Sequence, residues 1–291
     1  MKFPWYKYCE LPVSKRNTLQ IFITNRCNLR CEGCFARNVM KDTPPDGRTV
    51  DISIGEYRKV IQRGIYKGVK QINILGGEPF LHTALPEFCR YNAALGLKTT
   101  IYTNGSYLYW ERNLHGAKLR VSIYGLAGDK GMINLSEQAI KYSFDANFMV
   151  GAGTTVKEVV EVAETVEKDF GCKVFFISSI RELDKGDFFY DTERTMPVLQ
   201  YKELVHKFLY EYSGHMEIHI SKRGVFESTL DLPHCHCKFA NYFIGGKIIQ
   251  CPYDVVNLKY QDDYEFGVRD CQQNSTCLMS KIVVTRRFDT V

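Results

Sequence analysis

The sequence predicts an α/β fold built from repeated βα units, and three observations predict it. Short apolar runs alternate with helical patterns from residue 17 to about residue 180. Each run is nearly continuous in its hydrophobicity, as expected of parallel strands buried on both faces. Two of the intervening helical patterns open on capping boxes. At 291 residues the chain suits one large domain or two ordinary ones. Hydrophobic residues make up 45% and aromatic residues 13%, enough for a sizeable core and against disorder.

Taken in order, the strands are expected at 18–24, 71–75, 99–103, 119–124, 146–150 and 173–178. Helices are expected between them at 54–66, 85–95, 135–142 and 156–169. Ser53 with Glu56, and Thr155 with Glu158, form the two capping boxes. Six strands are too few for a closed eight-stranded barrel. Around 183–198 the pattern breaks into a charged stretch holding Asp184, Asp187 and Pro197, which marks a soft boundary. A helix at 198–212 and a strand at 217–221 follow. Residues 241–250 read as a hairpin turning at Gly245-Gly246, and the tail after Lys281 is short and basic. The expected division is an extension at 1–16, a βα domain at 17–190 and a small cysteine-rich domain at 191–291.

The net charge of +5 is mild and evenly spread, which excludes a dense nucleic-acid stripe but suits an anionic substrate or an acidic electron donor. No run approaches the roughly 18 apolar residues of a membrane span, and the start lacks a signal-peptide core. Eleven cysteines, an odd number, argue against a closed disulfide framework. A cytoplasmic protein without membrane association is expected.

Cys27, Cys31 and Cys34 are spaced so that all three can turn onto one metal centre. A structural zinc needs four ligands, and the next Cys or His is His82. Three ligands suit an iron–sulfur cluster with one iron left open; a zinc knuckle or ordinary thiols are the alternatives. At the end of the second strand stands Gly76-Gly77-Glu78-Pro79. Its glycines let the backbone approach a ligand and Glu78 places a carboxylate beside it, although a plain turn explains the same residues. Thr103-Asn104-Gly105 ends the third strand and Ser122-Ile123-Tyr124-Gly125 the fourth.

These four motifs, at four successive strand ends, resemble those of the radical S-adenosylmethionine (SAM) superfamily over roughly residues 17–180. The resemblance implies an open, partial (β/α)6 TIM-like barrel. It implies a [4Fe-4S] cluster on Cys27, Cys31 and Cys34, with SAM on the open iron. Gly76, Gly77, Glu78 and Pro79 would bind the amino group of SAM's methionyl part, and Thr103 and Asn104 match a motif common there. Ser122 would reach the ribose or carboxylate. Tyr124 replaces an acid found in many relatives. Gly33 stands where an aromatic is usual, and Phe35 would take that place near the adenine. The chemistry implied is one-electron cleavage of SAM to methionine and a 5′-deoxyadenosyl radical, supplied by a donor such as flavodoxin or ferredoxin.

Cys235, Cys237, Cys251, Cys271 and Cys277 crowd into 43 residues. With Gly246 at a hairpin tip, they resemble the auxiliary-cluster domains called SPASM and twitch. That implies a second [4Fe-4S] cluster on Cys235, Cys251, Cys271 and Cys277, with Cys237 as the alternative to Cys235. A three-cysteine cluster on Cys235, Cys237 and Cys251 with an open iron, or a zinc ribbon helped by His234 and His236, are the other arrangements. Cys9, Cys89 and Cys172 read as core or incidental thiols.

The expected function is hydrogen abstraction from a small molecule, sugar or nucleotide, with net oxidation through the auxiliary cluster as one outcome. About 16 residues precede the first strand, which sets a peptide-modifying (RiPP maturation) enzyme second. A non-catalytic zinc or iron–sulfur module is the reading from another class.

Overall fold

The structure, a computed structural model, describes residues 6–10, 17–29, 31, 50–106, 113–123, 143–179, 196–221, 234–235, 239–244, 246–249, 269–270 and 281–286. The helix expected at 135–142 lies outside them. The strands in chain order are β1 (Tyr6–Glu10), β2 (Asn17–Phe22), β3 (Val69–Leu75), β4 (Lys98–Thr103), β5 (Lys118–Ile123), β6 (Phe144–Val150), β7 (Val174–Ser179) and β8 (Glu217–Ser221). The later ones are β9 (His234–Cys235), β10 (Phe239–Phe243), β11 (Lys247–Ile249), β12 (Arg269–Asp270) and β13 (Lys281–Arg286). The helices are α1 (Ile54–Tyr66), α2 (Leu85–Ala94), α3 (Val156–Lys168) and α4 (Val198–Glu211).

Strands β2 to β7 are the six expected from the sequence, and they pair in chain order, each parallel to the next. The capping boxes form as the spacing predicts. Ser53 accepts from the amide of Glu56 at 3.1 Å, and Thr155 from that of Glu158 at 3.2 Å. Each cap contributes about 1 kcal/mol to the helix it starts.

The sheet extends beyond those six. β8 adds in parallel to β7, and β10 adds in parallel to β2 on the opposite side, with Phe239 opposite Thr18 and Tyr242 opposite Ile21. β13 then pairs antiparallel to β8, β1 antiparallel to β13, and β11 antiparallel to β10. The result is an open eleven-stranded sheet with β1 and β11 at its ends. The expected hairpin is therefore present as β10 and β11, but it is laid along the first strand of the βα repeat. The tail after Lys281 is a strand, and its Ile282-Val283-Val284-Thr285 run is β-branched. Both additions cover strands that would otherwise present unpaired backbone groups at an edge.

The two faces of the sheet differ. Leu19, Ile21, Ile72, Ile74, Ile101, Leu119, Val121, Phe148, Phe175 and Ile177 are buried in one apolar cluster with Tyr57 and Ile61 of α1, Phe88 of α2, Val162 of α3 and Phe208 of α4. Alternate positions face away from the helices and are largely polar: Gln20, Asn73, Thr100, Tyr102, Arg120, Asp145 and Asn147. Several of these are also buried, including Asn73 and Gln20. The strands are thus enclosed on both sides, as their hydrophobicity predicts, but the inner side is polar. A solid packed interior would carry Val, Ile and Leu there; a polar inner face suits a lined cavity.

Candidate functional site

The site is built at the C-terminal ends of β2, β3 and β4, where barrel folds carry their chemistry. Beyond β2 the chain continues through Ile23 and Thr24, departs, and returns at residues 50–52. The amide of Ile52 donates to the carbonyl of Ile23 at 2.8 Å, and that of Asn25 to the carbonyl of Val50 at 3.1 Å. The cysteine-bearing loop is therefore closed at its base. A side-chain clamp reinforces the closure. Arg26 donates through Nε to Asp51 Oδ1 at 3.1 Å and through Nη2 to Asp51 Oδ2 at 2.5 Å, a two-pronged pairing. Arg26 Nη2 also donates to the carbonyl of Leu81 at 2.8 Å, and the hydroxyl of Thr24 donates to Asp51 at 2.6 Å.

Cys27 follows this clamp directly. Its sulfur accepts from the amide of Leu29 at 3.4 Å and from the side-chain amide of Asn104 at 3.8 Å. Both donors point at the sulfur, from the side of β4 and of the loop itself. Cys27 is exposed and Cys31 partly so. By contrast, burial pushes the thiols of Cys89 and Cys172 up to about 12, so they stay protonated core residues as expected. Cys34 and Phe35 lie outside the described residues. Among the described residues, Cys27 and Cys31 are the thiols at this strand end.

Because the Arg26–Asp51 pair is about one-third exposed, it contributes about 1 kcal/mol or less to holding the loop. Asp51→Asn is expected to speed loss of iron to a chelator by up to about fivefold, the rate equivalent of that energy. An unchanged rate would show that the clamp does not hold the cluster loop.

The glycines at the end of β3 serve this same loop. The amide of Gly77 donates to the carbonyl of Thr24 and that of Glu78 to the carbonyl of Arg26, both at 2.7 Å. A Cβ at Gly76 would lie 2.7 Å from Thr24 O, and one at Gly77 would lie 2.1 Å from Arg26 O. The close approach that the sequence assigns to a ligand is made first by the cysteine loop's own backbone.

Glu78 is fully buried. Its Oε1 accepts from the amide of Phe80 at 3.0 Å and the hydroxyl of Thr103 at 2.7 Å, while Oε2 accepts from the amide of Asn104 at 2.8 Å. Burial pushes the carboxyl up to about 7, against these three donors. The carboxylate thus ties the end of β3 to the end of β4, and Pro79 begins the short turn Pro79–Leu81 that Glu78 caps. Asn104, so positioned, reaches back with its side-chain amide to Asn28 Oδ1 at 3.1 Å. Cys27, Gly76, Gly77, Glu78, Thr103 and Asn104 therefore form one connected set. Ser122 stands at the end of the next strand, opposite Asn147 on the inner face.

At the other cluster of cysteines, β9 and β12 pair antiparallel, with Cys235 opposite Arg269 and His234 opposite Asp270. Cys237, Cys251, Cys271 and Cys277 lie outside the described residues. Thr24, Arg26 and Asp51 carry no sequence signal, because no spacing rule joins residues 25 and 27 positions apart. The sequence expectation of nearly continuous apolar strands passed over the polar inner positions, although β5 alternates as Leu119-Arg120-Val121-Ser122-Ile123.

The parallel sheet thus carries the cysteine-bearing segment, a Gly-Gly-Glu turn and an Asn at three adjacent strand ends. The chain matches, over residues 21–124, the family model described as the radical SAM superfamily. Among curated relatives it is 29% identical over 166 residues to an S-adenosylmethionine-dependent nucleotide dehydratase of a Thermoplasmatales archaeon, covering 56% of this chain and 52% of that protein. It is 29% identical over 192 residues to the sporulation killing factor maturation protein SkfB of Bacillus subtilis, covering 60% and 44%. The chain thus spans about half the length of these relatives. Among solved structures it shares the fold of SuiB from Streptococcus suis bound to precursor peptide SuiA, with a TM-score of 0.60 and 15% identity over 86% of this chain and 62% of that one. Cofactors of the superfamily are the [4Fe-4S] cluster and SAM.

Proposed function

We propose that this chain reductively cleaves SAM and abstracts hydrogen from a substrate held against the inner face of the sheet. The observation that supports this most is the connected set at the strand ends, in which the Cys27 sulfur, Asn104 and Glu78 lock together. Cys27, Cys31 and Cys34 would hold the cluster, which with SAM supplies a carbon-centred radical when bound. Gly76, Gly77, Pro79, Thr103, Asn104, Ser122 and Phe35 would surround SAM. Glu78 keeps its carboxylate on protein donors and acts by holding Asn104 and the β3 turn in place. A donor such as flavodoxin or ferredoxin would supply the electron. Among the described residues no helix is long and apolar enough to cross a membrane.

A second [4Fe-4S] cluster on Cys235, Cys251, Cys271 and Cys277, with Cys237 as the alternative to Cys235, completes the reading. It is supported by the β9–β12 pairing, since Cys271 follows Asp270 directly in sequence. It is also supported by the hairpin, which sets Ile249 opposite Asn241, with Cys251 two residues further along. A small molecule or nucleotide is the substrate favoured by the polar inner face and by the dehydratase relative. A peptide is the second reading, favoured because the likeness to SuiB covers 86% of this chain.

Anaerobic reconstitution tests the proposal. About eight irons per chain and release of 5′-deoxyadenosine on reduction are expected, each cluster contributing about four. Cys251→Ala should remove about half the iron. Zinc in place of iron, or no SAM cleavage, would sink the enzymatic reading, and full iron in the Cys251 variant would sink the second cluster.

A further inference from the structure

Arg120 sits on β5 with its side chain on the polar inner face and 22% exposed. Its guanidinium carbon lies 3.8 Å from the centre of the Phe176 ring and 5.1 Å from that of Tyr102, so aromatic rings hold the plane in place. Of its five N–H donors, the structure shows one hydrogen bond, from Nη1 to the Tyr102 hydroxyl at 2.9 Å. Nη2 is 3.6 Å from Asp145, close enough to balance charge but too long for a hydrogen bond. Nε is buried and has no acceptor among the described residues.

The contrast with Arg26 is instructive. That guanidinium meets Asp51 in the two-pronged geometry of a structural tie. Arg120 and Asp145 are opposite neighbours in the sheet, yet their side chains do not adopt it. A half-buried guanidinium with donors unfilled costs free energy unless an acceptor completes it. Ser122 lies two residues further along the same face, about 6.6 Å nearer the strand end.

We propose that Arg120 is the anchor for an acidic group of the substrate, a carboxylate or a phosphate, bound on the inner face one layer below the SAM contact. The assignment rests on the functional reading above and deepens it, because it names the chemical class of the substrate. Such a molecule would bind with its acidic group on Arg120 Nη2, the donor left open to approach, and its reacting carbon toward the strand ends. The mild positive charge of the chain agrees with an anionic substrate.

The test is titration calorimetry of the anaerobically reconstituted protein, at constant ionic strength, with inorganic phosphate and with acetate as probes. Saturable binding of at least one probe is expected. Arg120→Gln should weaken it at least tenfold, with SAM affinity unchanged within twofold. Asp145→Asn, which removes the competing carboxylate, should tighten it several-fold. Tighter phosphate binding would name a phosphorylated substrate, and tighter acetate binding a carboxylic acid. Absence of binding to the wild-type protein would overturn the proposal, as would equal binding by Arg120→Gln. Loss of SAM affinity in that variant would also overturn it, by assigning Arg120 to the SAM site. Should Arg120→Gln fail to fold, as judged by circular dichroism and iron content, Asp145→Asn decides, and an unchanged affinity there refutes the site. SAM cleavage is measured in the same samples. Anion binding without cleavage would sink the enzymatic reading and leave the anion site standing.

Discussion

Gly77→Ala is expected to abolish stable cluster assembly. The new methyl carbon would lie 2.1 Å from the carbonyl oxygen of Arg26 and 2.5 Å from its carbonyl carbon, and 3.0 Å from Cys27 Cβ. The two nearest are backbone atoms and a Cβ is fixed to its backbone, so no side-chain rotation relieves the overlap. Either β3 or the loop must move, breaking the 2.7 Å bonds from Gly77 to Thr24 and from Glu78 to Arg26. A loss of about 3 kcal/mol or more is expected from an overlap that forces backbone apart. Gly55→Ala is the control. Its Cβ would meet nothing closer than the Ser53 hydroxyl at 4.0 Å, and on a helix it should stabilise by about 0.5–1 kcal/mol. Iron content and melting temperature of the two variants check the contrast. Normal iron in Gly77→Ala would show that the close approach is not required.

The second large effect concerns Glu78. Glu78→Ala leaves the amides of Phe80 and Asn104 and the hydroxyl of Thr103 buried without acceptors, at about 1–3 kcal/mol each. SAM affinity should fall with stability, since Asn104 loses its anchor. Glu78→Gln keeps the shape and isolates the charge. Because burial raises the folded carboxyl from 4.5 to about 7, its contribution to stability is complete below 4.5 and is lost as pH rises through about 7. Between pH 5 and pH 8 the wild-type protein should therefore lose about 2 kcal/mol more than Glu78→Gln, roughly 5 °C in melting temperature. Parallel melting curves in the two proteins would show that Glu78 does not titrate in this window.

Much of this was legible in the sequence, and the reason is that the signals are local. A buried strand shows as a short apolar run, and a cap shows as Ser53 or Thr155 three residues before a Glu. Each records contacts made within a few residues. The cysteine spacing is local in the same sense, because the three ligands proposed for one centre stand within eight residues of sequence. The partners of Glu78 were not legible. Its role looked like that of a carboxylate offered to a ligand, and it became an internal tie only when β4 brought Thr103 and Asn104 against it. Asp51 was equally silent, because nothing in its neighbourhood marks it as the other half of a clamp on Arg26. Arg120 carried no signal in the sequence, and the sheet made it part of a polar wall.

The sequence by itself determined the βα order and the cysteine spacing, because each is written in residue types and short intervals, and the cofactor chemistry entered through the resemblance those motifs carry. Only the tertiary structure decided that β8, β10 and β13 complete the same sheet, that Gly76 and Gly77 make room for the cysteine loop, and that Glu78 faces inward. Those outcomes depend on pairing between residues as distant as Thr18 and Phe239. Backbone hydrogen bonding and burial select such pairs only once the chain has folded.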